Sequence, residues 1–278
     1  MSLDYLDGID VIYWINLDRA KERKKHMENI FKDEIFKNKK IIRIKAFDYK
    51  KKNLDDYIKT TAFRITEPEY ACLLSHLETI RIFSKTNYEN ALIFEDDLSI
   101  DYKKYWTKTM RQIMDEAPKD WEILKLFSYQ DISEYKNTYT DWVKTITNGY
   151  NKYKSLRVEA DWGFNSNIIN NKAAKKLIHE IYHNKKYVLK DTYKGDVLLH
   201  FADYLIYKML KTYVYKYPYF SLRDNNNTYI QDFKRKKTSL KIINKQKRFT
   251  KNSIKKRKLM LEKHKKKFDK TLKNRTKK

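Results

Sequence analysis

Two short apolar runs that end abruptly in charged residues constrain the fold more than any other feature of the chain. Residues 11–17 (VIYWINL) are followed by Asp18, and residues 91–94 (ALIF) run directly into three acidic residues at 95–97. Runs of this length and composition are typical of buried strands. The segments between them carry apolar residues at helical spacing. The sequence therefore predicts an α/β fold in which strands alternate with helices.

Hydrophobic periodicity sets the bounds of the predicted elements. Apolar residues three and four positions apart mark helices, and short apolar runs mark strands. Pro68 suits the entry of the helix that follows it. The predicted helices span 19–31, 69–85, 102–116, 172–183 and 196–210. The predicted strands span 11–17, 41–47, 91–94, 122–127 and 212–217, with extended segments around 156–169.

The positive charge is concentrated near the C-terminal end of the sequence. Residues 234–278 contain 22 of the 62 Lys and Arg and two of the 36 Asp and Glu, so they carry +20 of the net charge of +26. Apolar residues are sparse there, which predicts a disordered or helical tail at 234–278 after a folded domain at 1–233. Such a tail suits binding to nucleic acid, an anionic membrane or an acidic partner. A solvated extension is the open alternative.

Composition excludes several classes of protein. Hydrophobic residues make up 41% of the chain and aromatic residues 15%, which is enough for a core and excludes wholesale disorder. Cys72 is the single cysteine, so we expect neither an intrachain disulfide nor a Cys-based metal site, and a zinc finger is excluded. The four glycines form no GxGxxG or GxxxxGK[ST] motif. Long apolar runs and a basic leader are missing, so we expect no membrane span and no secretory signal.

The acidic triplet at 95–97 predicts a cation site. Carboxylates this close repel one another unless a cation or basic groups compensate their charge. In an extended chain Glu95 and Asp97 point the same way and can share one Mg²⁺ or Mn²⁺, whose other positions go to water and phosphate oxygens. Asp96 then faces the other side, where an arginine can pair with it. An acidic turn in which Asp97 caps the next segment is the open alternative.

Further polar residues lie near the predicted strand ends, where ligands collect in sheets of this kind. Arg19 and Arg23 are four residues apart, so they are neighbours on a helix and can grip a phosphate or nucleotide. An ordinary charged helix face would show the same spacing. His76, beside Ser75, is compatible with a core residue as well as with a ligand. Cys72 is interpreted as a packing residue.

Together these segments resemble glycosyltransferase family 25, which contains lipopolysaccharide and collagen galactosyltransferases. The family's opening strand, ending I-N-L-D/x-R before a second Arg and an apolar helix, is similar to IYWINLDRAKERKKHMENIF, and its second strand to IIRIKAFD. Its G-x-x-G-C-x-x-S-H helix is similar to EYACLLSH, which has Tyr70 and Ala71 where the family has Gly, and its a-L-I-L-E-D-D strand to ALIFEDD. Looser matches are DWEILKL, WGFNSNIINNKAAKKLI, FADYLI and VYKYPYFSLRDNNNTYI, so the resemblance covers about residues 9–230.

The resemblance implies a GT-A fold, in which a Rossmann-type sheet is flanked by helices. It implies a hexosyltransferase that moves galactose or glucose from UDP to a hydroxyl with inversion, using Mn²⁺ or Mg²⁺. Glu95 and Asp97 are expected as metal ligands, and Asp203, with Asp161 second, as the general base. Asp203 equally suits the first turn of a helix. The residues expected to contact or surround the donor are Asn16, Arg19, Arg23, Ser75, His76 and Asp96.

A second class of function stays open. Low glycine content and the basic tail also suit a polyanion-binding structural or virion protein with an inactive glycosyltransferase-like domain. A two-metal nuclease or phosphatase would need more clustered Asp and His than the sequence offers. A glycan, a protein hydroxyl and a lipid-linked sugar are all candidate acceptors.

The abundance of Lys, Asn, Ile and Tyr is typical of an AT-rich genome, such as that of a large DNA virus or an AT-rich bacterium. The expected location is therefore the cytoplasm, of a host cell if the protein is viral, or a virion. Attachment to the periphery of a membrane through the tail is also compatible with the sequence.

Overall fold

A computed structural model describes residues 3–60, 65–127, 153–155, 163–193, 196–197, 199–215 and 219–223. These residues form a mixed α/β structure with a central seven-stranded sheet and helices on both of its faces. The predicted α/β class, with a sheet flanked by helices, is therefore confirmed. The basic tail at 234–278 lies outside the described residues.

The helices and strands are numbered in chain order. The helices are α1 (Lys21–Ile30), α2 (Glu67–Ser84), α3 (Met110–Asp115), α4 (Asn171–Ile181) and α5 (Ala202–Met209). Short 3-10 helices span Glu34–Phe36, Leu54–Asp56 and Lys103–Tyr105. The strands are β1 (Val11–Asn16), β2 (Lys40–Lys45), β3 (Ile58–Thr60), β4 (Asn90–Glu95), β5 (Leu98–Ser99), β6 (Ile123–Lys125), β7 (Tyr153–Ser155), β8 (Ser166–Asn170), β9 (Tyr182–His183), β10 (Lys186–Leu189), β11 (Thr192–Tyr193), β12 (Asp196–Val197), β13 (Thr212–Tyr215) and β14 (Ser221–Leu222).

The large sheet has the strand order β2-β1-β4-β8-β6-β13-β7. Strands β2, β1 and β4 are parallel to one another, and β6 is parallel to β13. Strand β8 runs antiparallel to both of its neighbours, β4 and β6. It therefore begins at the edge of the sheet where the parallel strands end.

Strand β1 shows why the sheet is covered on both faces. All six of its residues are buried, and alternate side chains point to opposite faces of a strand. Val11, Tyr13 and Ile15 pack with α2, α4 and α5 on one face. Ile12 and Trp14 pack on the other face with side chains of α1 and α3. A run that is apolar at every position is typical of a strand covered on both sides.

Helix α2 starts at a capping box. Thr66 and Glu69 satisfy each other's backbone N–H groups, and Pro68 occupies the first turn, as expected for a helix start. Eleven of its 18 residues are buried, because the helix lies between the large sheet and α4 and α5. Among the helices that the structure describes, none has the length and hydrophobicity needed to cross a bilayer.

Two predicted helices are shorter than the sequence suggested. The predicted helix at 102–116 is wrong over its first half, because Thr109 and Gln112 form a capping box that starts α3 at Met110. The predicted helix at 196–210 is wrong before residue 202, since β12 pairs with β11 in a small hairpin there. The second strand, predicted at 41–47, spans Lys40–Lys45.

Candidate functional site

The ends of β1 and β4 and the beginning of β8 meet at one edge of the large sheet. Phe94 of β4 pairs with Ser166 of β8, and the N–H of Glu95 donates to the carbonyl of Asn165 at 3.1 Å. Asn16 ends β1, which lies on the other side of β4. The acidic triplet therefore sits between polar residues from an early and a late part of the chain.

Two of the three carboxylates converge on one atom. Glu95 Oε2 and Asp97 Oδ1 lie 3.1 and 3.2 Å from the same amide nitrogen, Nδ2 of Asn165. The remaining oxygens are held from outside: His76 Nε2 lies 2.9 Å from Glu95 Oε1, and Arg23 Nη2 donates to Asp97 Oδ2 at 2.5 Å. Each carboxylate is thus oriented through one oxygen and presents the other toward a shared point.

Asp96 does not lie opposite Asp97, as an extended chain would place it, because residues 96 and 97 form a turn after β4 and both carboxylates bind Arg23. Its Oδ1 accepts from Arg23 Nη1 at 2.7 Å and its Oδ2 from Asn16 Nδ2 at 2.6 Å. Burial raises the pKa of Asp96 to about 6, although Arg23 and the Asn16 hydrogen bond oppose this shift. Arg43 in turn donates to Asn16 Oδ1, so Asn16 is fixed from both sides. Asp96 is therefore an anchor for Arg23.

Helix α2 presents Cys72, Ser75 and His76 to the same cleft. His76 is 1% exposed, and its Nδ1 is buried without a hydrogen-bond partner in the described part of the chain. The Ser75 hydroxyl accepts from the N–H of Phe47 at 2.8 Å and donates to the carbonyl of Ala71 at 2.6 Å. Ser75 therefore fixes the loop after β2, and its hydroxyl is already used in that role.

Cys72 packs against the hydrophobic core and also lines the cleft. The residue is half-buried, and burial raises the pKa of its thiol well above the usual range. The carboxylates of Glu95, Asp203, Asp97 and Asp96 raise it further through their charge. The interpretation of Cys72 as a packing residue is therefore incomplete, because its sulfur lies within the negative field of the site.

Arg19 lies farther along the cleft than Arg23. Its Nε is 3.4 Å from Asp48 Oδ2, and its guanidinium lies 5.9 Å from the ring centre of Tyr49. Arg23 binds Asp96 and Asp97 of the acidic triplet, whereas Arg19, four residues before it, binds Asp48.

Asp203 and Tyr207 hold Gly163, two residues before Asn165. Asp203 Oδ2 accepts from the N–H of Gly163 at 2.7 Å, and the Tyr207 hydroxyl donates to its carbonyl at 3.1 Å. Tyr207 also stacks on Phe164, with ring centres 5.0 Å apart. Helix α5 therefore positions the segment that carries Asn165. Asp161 lies outside the described residues.

The sequence did not single out Asn165 or Arg43. The only signal for Asn165 was the change from polar to apolar residues in FNSNII, which marks the start of a strand but not its direction.

The cleft formed by these elements is lined by residues 15–17, 19, 23, 46, 47, 49, 68, 71, 72, 75, 76 and 95–97.

The arrangement can bind a cation and orient charged ligands beside it. A hard divalent cation binds carboxylate oxygens, and Glu95 Oε2 and Asp97 Oδ1 already approach one point, the Asn165 amide nitrogen. Arg23 supplies a guanidinium next to that point. In open α/β sheets, ligands lie beyond the carboxyl ends of the strands, which is where this cluster is found.

Comparison with known proteins gives one informative result. Curated proteins provide no significant match to the sequence. The family model of glycosyltransferase family 25 (LPS biosynthesis protein) matches residues 9–194. That range covers about two thirds of the chain and contains β1, α2, β4 and β8, which build the cluster around the acidic triplet. The chain therefore belongs to glycosyltransferase family 25, a family of transferases that act on a sugar donor and an acceptor.

Proposed function

We propose that the protein is an inverting, metal-dependent hexosyltransferase that transfers galactose or glucose from a UDP-sugar to a hydroxyl acceptor. The observation that carries this proposal is the convergence of Glu95 Oε2 and Asp97 Oδ1 at the edge of the sheet. Family membership supports sugar transfer, and the all-oxygen donor pair supports Mn²⁺ or Mg²⁺ as the cation. The strand order and the site at the strand ends are compatible with a GT-A fold.

The residues present fit the proposed cation. A carboxylate oxygen has two lone pairs, so Glu95 Oε2 and Asp97 Oδ1 can each accept from the Asn165 amide and also bind the cation. When bound, the cation would neutralise the negative charge that develops on the diphosphate of the departing nucleotide. Arg23, held by Asp96 and Asp97, adds a fixed positive charge at the same place. Arg19 extends this charge along the cleft, and Asn16, Ser75 and His76 shape its floor.

Inverting transfer also needs a base for the acceptor hydroxyl. The hydroxyl oxygen attacks the anomeric carbon, the bond from that carbon to the diphosphate breaks, and the hydroxyl proton passes to a carboxylate. We assign this role to Asp203, with Asp161 as the second candidate. The charge of Asp203 acts on the Cys72 sulfur together with the charges of the triplet, which supports a place on the same cleft.

Nucleotide release from a panel of sugar donors tests the proposal. The intact chain is incubated with UDP-galactose, UDP-glucose and a CMP-sugar, each with Mn²⁺, Mg²⁺ or EDTA. We expect release from one UDP-sugar that requires the metal and falls at least 100-fold in Asp97→Ala. Asp101→Ala, a change at an acid outside the cluster, is the matched control.

Two outcomes would contradict this assignment. Nucleotide release from the CMP-sugar alone would show that the donor is not a UDP-sugar. Release that persists in EDTA would show that the reaction does not require a metal. No release from any donor, together with no stabilisation of the fold by UDP and Mn²⁺, would favour the polyanion-binding alternative. The acceptor is proposed to be a glycan, a protein hydroxyl or a lipid-linked sugar, presented in the cytoplasm or at a membrane surface reached through the tail.

A further inference from the structure

Three different donor atoms lie together on the side of Glu95 that faces α2. One ligand atom each from Cys72, His76 and Glu95 lies within 4.8 Å of the other two. Cys72 and His76 are one helical turn apart, so their side chains occupy the same face of α2. Glu95 closes the group from the end of β4.

We propose that Cys72, His76 and Glu95 form a second cation site, which prefers Zn²⁺ to Mn²⁺ and Mg²⁺ and shares only Glu95 with the oxygen pair described above. A thiol, an imidazole and a carboxylate are the ligand set of zinc sites, whereas Mg²⁺ and Mn²⁺ prefer oxygen ligands. The site therefore differs from the Glu95–Asp97 pair in chemistry as well as in position.

The distances allow one ion to contact all three groups. Metal–ligand bonds of about 2.0–2.3 Å place the ligands of a tetrahedral zinc ion roughly 3.3–3.8 Å apart. From the observed limit of 4.8 Å, the ligands would have to approach one another by at most about 1.5 Å, which side-chain rotation can supply for the half-buried Cys72. Water would complete the coordination from the open side of the cleft.

The two nitrogens of His76 favour an ion at this point. Nε2 contacts Glu95 Oε1, while Nδ1 is buried and has no hydrogen-bond partner among the described residues. A buried nitrogen without a partner costs free energy, which a metal bound at that nitrogen would recover. The imidazole is therefore ready for metal binding.

Charge favours the same ion. The negative charges of Glu95, Asp96, Asp97 and Asp203 act at the Cys72 sulfur, and a cation bound there would offset them. Binding forms a metal–sulfur bond and releases the thiol proton to solvent, because the thiolate is the metal ligand. No oxidant or reductant is needed.

Cobalt absorption tests the site without any requirement for transferase activity. Co²⁺ replaces Zn²⁺ in such sites, and a bound thiolate gives an intense sulfur-to-cobalt charge-transfer band. Because Cys72 is the single cysteine, that band can come from one residue only. We expect the band on adding one equivalent of Co²⁺ to the reduced, intact chain, and its loss when Zn²⁺ is added.

Variants separate this site from adventitious binding. Cys72→Ser and His76→Asn are expected to lower Zn²⁺ affinity by roughly 100-fold or more, since loss of an outer partner alone costs about 10–100-fold. His179→Asn, a change at an exposed histidine of α4, is the matched control and keeps the band. Cobalt binding without the band, or with equal affinity in Cys72→Ser, would overturn the proposal.

Two further measurements keep the outcome clear. If Cys72→Ser does not fold, the rate at which a thiol reagent modifies the intact chain is measured with and without Zn²⁺; an unchanged rate refutes the site. We also expect Zn²⁺ to inhibit Mn²⁺-supported turnover, because both cation sites use Glu95. This inhibition measurement is the one test that rests on the proposed function. A cobalt band without turnover would contradict only that function.

Discussion

Asn165 joins the two carboxylates that the proposed cation would bind. Its amide nitrogen contacts one oxygen of Glu95 and one of Asp97, and its backbone carbonyl accepts from the N–H of Glu95. A neutral amide can hold two negative groups at a fixed separation without adding charge. Asn165 therefore acts on the cation through its neighbours and is a positioning residue.

Asn165→Ala is expected to lower Mn²⁺ affinity by about 10–100-fold, because the two carboxylates lose the group that orients them. Titration of Mn²⁺ by calorimetry measures the affinity, and kcat at saturating Mn²⁺ should recover in part. Asn29→Ala, on the exposed face of α1, is the control. Equal affinities in the two variants would show that the amide does not position the carboxylates.

Asp203→Asn separates the proposed base from its contact with the backbone. The Asn amide oxygen can still accept from the N–H of Gly163, so the variant keeps this hydrogen bond and loses the proton acceptor. We expect kcat to fall by about 10²–10⁴ while the Kd for UDP stays unchanged. Near-normal turnover with intact donor binding would exclude Asp203 and move the assignment to Asp161.

At the scale of elements, helix α5 controls the geometry of the site through one glycine. Gly163 has φ of 98°, a region that residues with a side chain rarely adopt. Both of its backbone polar groups contact side chains of α5, from Asp203 and Tyr207. A substitution at this glycine would therefore displace Asn165 without altering any residue of the acidic triplet.

Gly163→Ala is expected to destabilise the fold by about 1–2 kcal/mol and to weaken Mn²⁺ binding, since strain displaces the segment that carries Asn165. Urea unfolding and the Mn²⁺ titration measure the two effects. Tyr207→Phe removes the hydroxyl that contacts the Gly163 carbonyl and Asn167 Oδ1, and should cost about 1 kcal/mol. A Gly163→Ala variant of unchanged stability and unchanged metal affinity would contradict this link.

Strands β1 and β4 were predictable because both are apolar and end in polar residues. The late start of the helix predicted at 102–116 was not predictable. Trp106 packs against Tyr219 and Phe220 and donates its ring N–H to the carbonyl of Tyr219. These partners are more than a hundred residues away in sequence. Local periodicity cannot reveal a long-range contact that overrides helix formation.

The site was predictable in part for a related reason. The expected pairing of Asp96 with an arginine is present, but Arg23 also binds Asp97, because residues 96 and 97 form a turn instead of continuing the strand. Asn165 was missed because its role depends on the direction of β8, and a sequence pattern does not give strand direction. The role of Ser75 in holding the loop after β2 likewise depends on a contact 28 residues away.

At the scale of the whole molecule, charge separates two parts of the chain. Residues 234–278 carry +20 of the net +26, and we propose that they bind a polyanion independently of the folded domain. Deletion of these residues is expected to abolish salt-sensitive binding to heparin or DNA and to leave metal-dependent nucleotide release intact. Binding that survives the deletion with the same salt dependence would place the polyanion site elsewhere.

The antiparallel direction of β8 has a consequence for the order in which the site is completed during synthesis. A nascent chain that ends before residue 163 already contains Glu95, Asp96, Asp97 and Arg23, but lacks the amide that bridges the carboxylates. Strand β8, which follows Asn165 directly, must insert between β4 and β6, both made earlier. The cation ligands are therefore synthesised before the residue that aligns them. Truncated products that end before residue 165 would contain Glu95 and Asp97 without the Asn165 amide that holds them together.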